Sequence, residues 1–176
     1  QTHIFVGQPG VKRGDKDYFS LYVANHPFGG SGFTSRLVDV IREEHGLAYS
    51  VYSYFSPLRE AGAFTMGMQT KTEQTEKALE LLDQQLKLYV EKGPEKDELA
   101  ASMSNITGGF PLKVDSNSKL LGYIAMIGFY DLPIDYLDTF LDNVRAVDLD
   151  MIYYALKRRL QPDKMVTVVV GKQSDL

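Results

Sequence analysis

The chain has 176 residues, 44% hydrophobic and 24% charged, a balance that suits a globular protein with room for one substantial core. Its net charge of −4 comes without a concentrated basic stripe, which argues against nucleic acid as a partner. Cysteine is absent, which excludes a disulfide frame and a thiolate metal site, and no apolar run approaches the roughly 20 residues needed for membrane insertion.

From the N-terminus, His3 to Val6 is a short apolar run and predicts a first strand. Gln8 to Asp15, with Pro9, Gly10 and Gly14, predicts a loop. Asp17 is placed to cap a helix whose apolar positions include Phe19, Tyr22 and Val23, and Pro27 with the following glycines stops it. A helix over Ser35 to His45 comes next, with Ser31 or Thr34 as its cap and Leu37, Val38 and Ile41 on one apolar face. Gly46 suits the left-handed position that ends a helix, and His45 sits where helix-end carbonyls gather. The period then changes to two and predicts a strand from about Tyr49 to Phe55. Ser56-Pro57 breaks it and Gly62 opens another, in which Phe64, Met66 and Met68 alternate with Thr65, Gly67 and Gln69. The two read as an antiparallel hairpin.

Thr70 and Glu73 have capping-box spacing, with Thr72 as a rival cap. The helix behind them carries Leu79, Leu82, Leu86 and Tyr89 on one stripe, and Gly93-Pro94 ends it. Helical spacing resumes from Glu95 to Phe110, where Gly108-Gly109 frays the end and Pro111 closes it. Ser116 or Ser118 starts another helix with Leu120, Leu121, Ile124 and Ile127. Pro133 suits a first helical position ahead of Leu137, Phe140, Leu141 and Val144. Asp148 caps a last helix through Leu160, and Lys157-Arg158-Arg159 serves the dipole of its final turn. Met165 to Val170 is a continuous β-branched run and predicts a buried strand. About four strands and six or seven helices add up to an α+β domain over 1–176, a single antiparallel or mixed sheet covered by helices.

The most specific stretch is Gly29-Gly30-Ser31-Gly32, then Ser35-Arg36-Leu37, Arg42-Glu43 and Gly46-Leu47-Ala48-Tyr49-Ser50-Val51. This ordered pattern resembles the C-terminal domain of the M16 zinc peptidases, the family of pitrilysin, insulin-degrading enzyme and the mitochondrial processing peptidase. The resemblance runs on to Pro162-Asp163 and the closing Val-Val-Val-Gly. It implies an M16-type α+β domain that belongs to the half of the peptidase without zinc. It also implies a homologous zinc-bearing domain or subunit as partner, with Zn2+ there and a peptide as substrate. The start at Gln1 rather than Met, without a signal-peptide pattern, fits a fragment of a longer chain or a processed product. Compartment is not readable: a cysteine-free soluble chain suits the cytoplasm and the periplasm alike, and a mitochondrial setting is open.

Zinc-bearing members of the family carry His-x-x-Glu-His on a helix, which sets two imidazoles and a Glu on one face. Here the histidines are His3, His26 and His45, and none is four or five residues from another. Ile41 stands where a first ligand should be in Ile41-Arg42-Glu43-Glu44-His45, so no metal ligand and no cofactor-binding residue is assigned to this chain. His45 reads as a helix-end residue and His26 as a packed or solvated one.

Arg42 and Tyr49 are the candidate catalytic residues. Taken alone, Arg42 suits helix-end carbonyls and Tyr49 suits sheet packing. The resemblance implies another role, because an Arg and a Tyr seven residues apart around such a turn reach across a closed chamber to the substrate. A guanidinium can hold a peptide carbonyl, and a phenol can donate to the developing oxyanion. The glycine turn lacks the Lys-Ser/Thr of a phosphate loop, so close packing explains its glycines better. Glu43 and Glu44 read as a solvated face. Tyr49, Tyr52, Tyr54 and Phe55 read either as a peptide groove or as sheet core and edge. The rival to the enzyme reading is a non-catalytic scaffold or a peptide-binding subunit of the same architecture.

Overall fold

The computed structural model describes residues 1–171. Four antiparallel strands make one sheet: β1 (Thr2–Pro9), β2 (Ser50–Ser56), β3 (Ala63–Thr70) and β4 (Val166–Val170), in spatial order β2-β3-β1-β4. The predicted hairpin is β2 and β3, with Val51 opposite Met68 and Phe55 opposite Phe64. Alternation then sends Ile4 and Val6 of β1, Phe64, Met66 and Met68 of β3, and Val51 of β2 to one buried face.

Six α-helices join the sheet in the described part of the fold: α1 (Tyr18–Asn25), α2 (Thr75–Lys92), α3 (Lys96–Gly109), α4 (Asn117–Phe129), α5 (Tyr136–Arg145) and α6 (Leu149–Arg159). The stripe of α2 buries Leu82, Leu86 and Tyr89, and Gly93 ends that helix. Asp148 caps α6 by accepting from the Met151 N–H at 2.7 Å, and Ser116 caps α4. Leu21, Val23, Leu37, Ile41, Ile152 and Leu156 join the strand residues in one contiguous core. Burying each such side chain contributes about 1.5–3 kcal/mol.

Several local expectations give way to long-range contacts. Thr70 caps no helix; it is the last residue of β3, and its hydroxyl donates to the Leu47 carbonyl at 2.5 Å. Asp17 makes no side-chain cap on α1, because Arg158 and Arg159 take its carboxylate at 2.6 and 2.7 Å. Those two arginines lie in the last turn of α6 as expected, and they do more there than answer its dipole. Pro133 accepts from the Tyr136 N–H in a turn ahead of α5 and is not its first residue. The glycines Gly108 and Gly109 stay within α3, which is capped at its start by Glu95 and Glu98 acting on each other's backbone N–H groups.

The largest correction concerns β4. It forms as a strand but is exposed at all five positions, because it lies at the sheet edge with β1 as its one neighbouring strand among the described residues. β-branched residues report strand, and burial depends on what the rest of the chain lays over it.

Candidate functional site

The segment that carries Arg42 is held from three sides. Leu37 and Ile41 are fully buried. Arg36 makes a two-pronged pair with Glu98, Nε to Oε1 at 3.1 Å and Nη2 to Oε2 at 2.5 Å, while its guanidinium lies 4.9 Å from the Tyr89 ring centre. Such planar pairing fixes orientation as well as charge. Tyr89 stacks on Phe28 at 4.5 Å and donates from its hydroxyl to the Ala24 carbonyl at 2.7 Å.

Before this segment, the glycine turn packs hard against β2. A Cβ on Gly29 would stand 2.6 Å from the Ser53 nitrogen, closer than a Cβ sits to an atom it is not bonded to. Asn25 donates to the Ser53 carbonyl at 2.9 Å and accepts from its hydroxyl at 2.7 Å, which closes part of the β2 edge. Close packing therefore accounts for this glycine. Neither Ser31 nor Thr34 caps the following helix: Thr34 donates to the Ser31 hydroxyl, and the buried Ser35 donates to the Gly32 carbonyl.

Residues Val38–Glu44 wind more widely than an α-helix, with the His45 N–H reaching the Val40 carbonyl at 3.3 Å. The ring Nδ1 of His45 lies 2.8 Å from the same carbonyl, so it donates there and ends the helix as its position suggested. Gly46 takes φ +63°, a value that costs a side chain little only when there is none. The Leu47 N–H then returns to the Ile41 carbonyl at 2.9 Å, and the Tyr49 N–H joins the sheet through Gln69 at 2.8 Å. Arg42 and Tyr49 thus stand on the two sides of a turn whose backbone N–H groups are tied at His45, Gly46, Leu47 and Tyr49.

Both side chains are accessible. Tyr49 is 73% exposed and borders a depression of about 270 Å3 with Gly46, Gln69, Lys71 and Gln74. The Arg42 side chain is 34% exposed, with Nε 3.4 Å from Glu43 and the guanidinium 5.1 Å from the Phe33 ring centre. Arg42 does not line the Tyr49 depression, and among the described residues the two side chains share no hydrogen bond. Tyr49 is no packed sheet residue, and the Arg42 side chain is aligned by Phe33 and not by helix-end carbonyls. Phe33 is the neighbour that residue spacing did not single out; a bulky apolar residue inside a glycine turn was its only signal.

The remaining candidates separate. Glu43 and Glu44 are solvated. Tyr52 and Tyr54 stack at 6.0 Å on the uncovered face of the sheet, while Phe55 packs on Phe64 at 4.7 Å. His26 lies 3.1 Å from the Ser102 hydroxyl and 3.2 Å from Asn105 Oδ1, a packed residue whose burial pulls it below the usual imidazole value against the Asn105 bond. His3 sits on β1 opposite Gln69 and Val170. Among the described residues no three His, Cys, Asp or Glu side chains converge to hold a metal ion, so the donors described do not fit zinc. Among them, too, no helix is long and apolar enough to cross a membrane.

Comparison with known proteins follows the same pattern. The family model described as the peptidase M16 inactive domain matches residues 1–106. The uncharacterized zinc protease YmxG of Bacillus subtilis is 31% identical over 180 residues, covering 100% of this chain and 42% of that protein. The non-peptidase homolog YmxG of Helicobacter pylori is 29% identical over 177 residues, covering 98% and 40%. A crystal structure of a peptidase M16 inactive domain from Pseudomonas fluorescens matches with a TM-score of 0.92 at 33% identity, over 98% of this chain and 41% of that one. The chain spans about two fifths of the length of these proteins.

Proposed function

Since the chain belongs to the peptidase M16 inactive-domain family, we propose that it is the half without zinc of a peptide hydrolase, one domain of a longer chain or one subunit of a pair. A homologous zinc-bearing half is its partner, and the two enclose the peptide between them. The part-exposed Arg42 and the exposed Tyr49 on either side of the tied Gly46 turn carry this reading, because a fixed backbone that presents accessible side chains suits groups that reach for a ligand.

In that setting Arg42 donates its parallel N–H groups to a substrate carbonyl and fixes the backbone in register. The Tyr49 hydroxyl donates to the carbonyl oxygen as it gains negative charge. A donor aimed at that oxygen is worth about 2.7–4 kcal/mol, or a factor of about 10²–10³ in turnover. The hydrolytic water and its activation belong to the other half.

The test measures zinc content and peptide hydrolysis for this chain alone and joined to its zinc-bearing half. The chain alone stays metal-free and inert, and the joined protein binds zinc and cleaves. Stoichiometric zinc and cleavage by the chain alone would overturn the reading. A second reading, a non-catalytic scaffold, draws on the Helicobacter pylori relative being named a non-peptidase homolog. Zinc-loaded but inert joined protein would favour it.

A further inference from the structure

At the end of β2 far from Tyr49, α1, the Tyr54–Pro57 stretch and the turn after α3 enclose a cavity of about 420 Å3. Its polar lining includes Arg13, Lys113 and His26, and among the described residues no carboxylate borders it. This is unusual within the molecule. Six of the seven arginines lie within 4 Å of an acidic side chain, and among the described residues Arg13 is the exception. Among those residues Lys113 also makes no ion pair.

Arg13 is nevertheless held in place. Its guanidinium carbon lies 5.5 Å from the Tyr18 ring centre and 5.3 Å from that of Tyr130, and Nη1 donates to the Tyr18 hydroxyl at 3.2 Å. Its Nε is buried and, among the described residues, has no hydrogen-bond partner. A buried donor left unmade is a standing cost that a bound acceptor removes. Lys113 donates to the Tyr22 hydroxyl at 3.0 Å, which leaves that hydroxyl its own hydrogen to donate. His26 has both ring nitrogens engaged, by Ser102 and Asn105, and its burial disfavours the charged form. The positive charge of the cavity is therefore that of Arg13 and Lys113. Val11, Leu21, Phe55 and Pro57 give it apolar wall, beside the rings of Tyr18 and Tyr54 and the amide of Asn25.

We propose that this cavity binds a carboxylate carried on an apolar or aromatic body, with Arg13 and Lys113 as its cationic donors and the Tyr22 hydroxyl as a third. A planar carboxylate matches the fork of a guanidinium, and the walls suit the body that bears it. The C-terminus of a peptide and a free aryl or alkyl acid share this chemistry. Neither Arg42 nor Tyr49 takes part, so the site stands or falls separately from the peptide-hydrolysis reading.

The experiment titrates the chain by calorimetry with four probes: N-acetyl-Ala-Ala-Phe as the free acid, the same tripeptide as the amide, phenylacetate, and inorganic phosphate. Saturable binding of at least one organic acid is expected, with the amide at least about tenfold weaker than the tripeptide acid or not bound, as loss of a charge-assisted bond requires. Tighter binding of the tripeptide acid than of phenylacetate identifies a peptide C-terminus as the ligand, and the reverse order a free acid. Arg13→Gln lowers affinity at least about tenfold, and Lys113→Met, at an exposed residue, at least about threefold. Circular dichroism checks that both variants are folded. Equal binding of acid and amide, binding of phosphate alone, no saturable binding of either acid, or an unchanged Lys113→Met variant overturns the proposal.

Discussion

The guanidinium of Arg42 lies 5.1 Å from the centre of the Phe33 ring, and that ring is 75% exposed. An exposed phenylalanine held over a cation gives the Arg42 side chain a preferred direction without burying it. Phe33→Ala should leave the thermal midpoint nearly unchanged, since little surface is covered. It should lower kcat/KM of the joined protein about two- to fivefold, the effect of a surface cation–π contact of about 0.5–1 kcal/mol. Steady-state kinetics together with a melting curve checks both halves of this statement.

Gly29 tests whether the glycine turn serves packing. Gly29→Ala forces a methyl group to 2.6 Å from the Ser53 nitrogen and 2.9 Å from Leu37 Cδ1. The expected loss is about 1–3 kcal/mol in urea unfolding. An unchanged midpoint would mean that the turn has room the structure does not show.

How much of this was legible beforehand depends on how far each feature reaches along the chain. The hairpin, the Leu82-Leu86-Tyr89 stripe, the Gly93 stop and the Asp148 cap are local, and residue periodicity finds them. Thr70 looked like a helix cap because Glu73 is three residues on; its real partner is the Leu47 carbonyl, 23 residues earlier. Asp17 was misread for the same reason, its arginines being more than 140 residues away. Arg13 and Lys113 line one cavity from a hundred residues apart, and nothing in their neighbourhoods signals it. Arg42 and Tyr49 flank one glycine turn, a local relationship, but spacing alone reads them as a helix-end and a sheet residue; the role proposed for them comes from the family resemblance.

Asp17 also sets a pH dependence. Burial pushes its carboxyl up, but hydrogen bonds and charge from Arg158 and Arg159 outweigh this and hold it below the usual carboxylate value. A group depressed in the folded state contributes fully above the unfolded value and loses that contribution as pH falls through the folded one. Wild-type stability should therefore fall more steeply below about pH 4 than that of Asp17→Asn. At pH 7 Asp17→Ala should cost about 2–4 kcal/mol, at the lower side of a buried pair because Arg158 is half exposed. Urea titrations across pH measure both.

The exposed edge at β4 makes a further distinction. Val168 lies opposite Phe5 on the uncovered sheet face. Val168→Lys should change stability by no more than about 0.5 kcal/mol. It should also lower light scattering at high concentration, because a lysine on an edge strand discourages strand-to-strand pairing. A loss of several kcal/mol would mean that β4 is covered.

The most direct measurement is turnover of a peptide by the joined protein with Tyr49→Phe, which removes one oxygen from an exposed ring. The account predicts a fall in kcat of about 10²–10³, with KM, zinc content and melting temperature close to those of the unaltered protein. Unchanged kcat would contradict it, and Tyr49 would then be an exposed residue at a turn with no part in the chemistry.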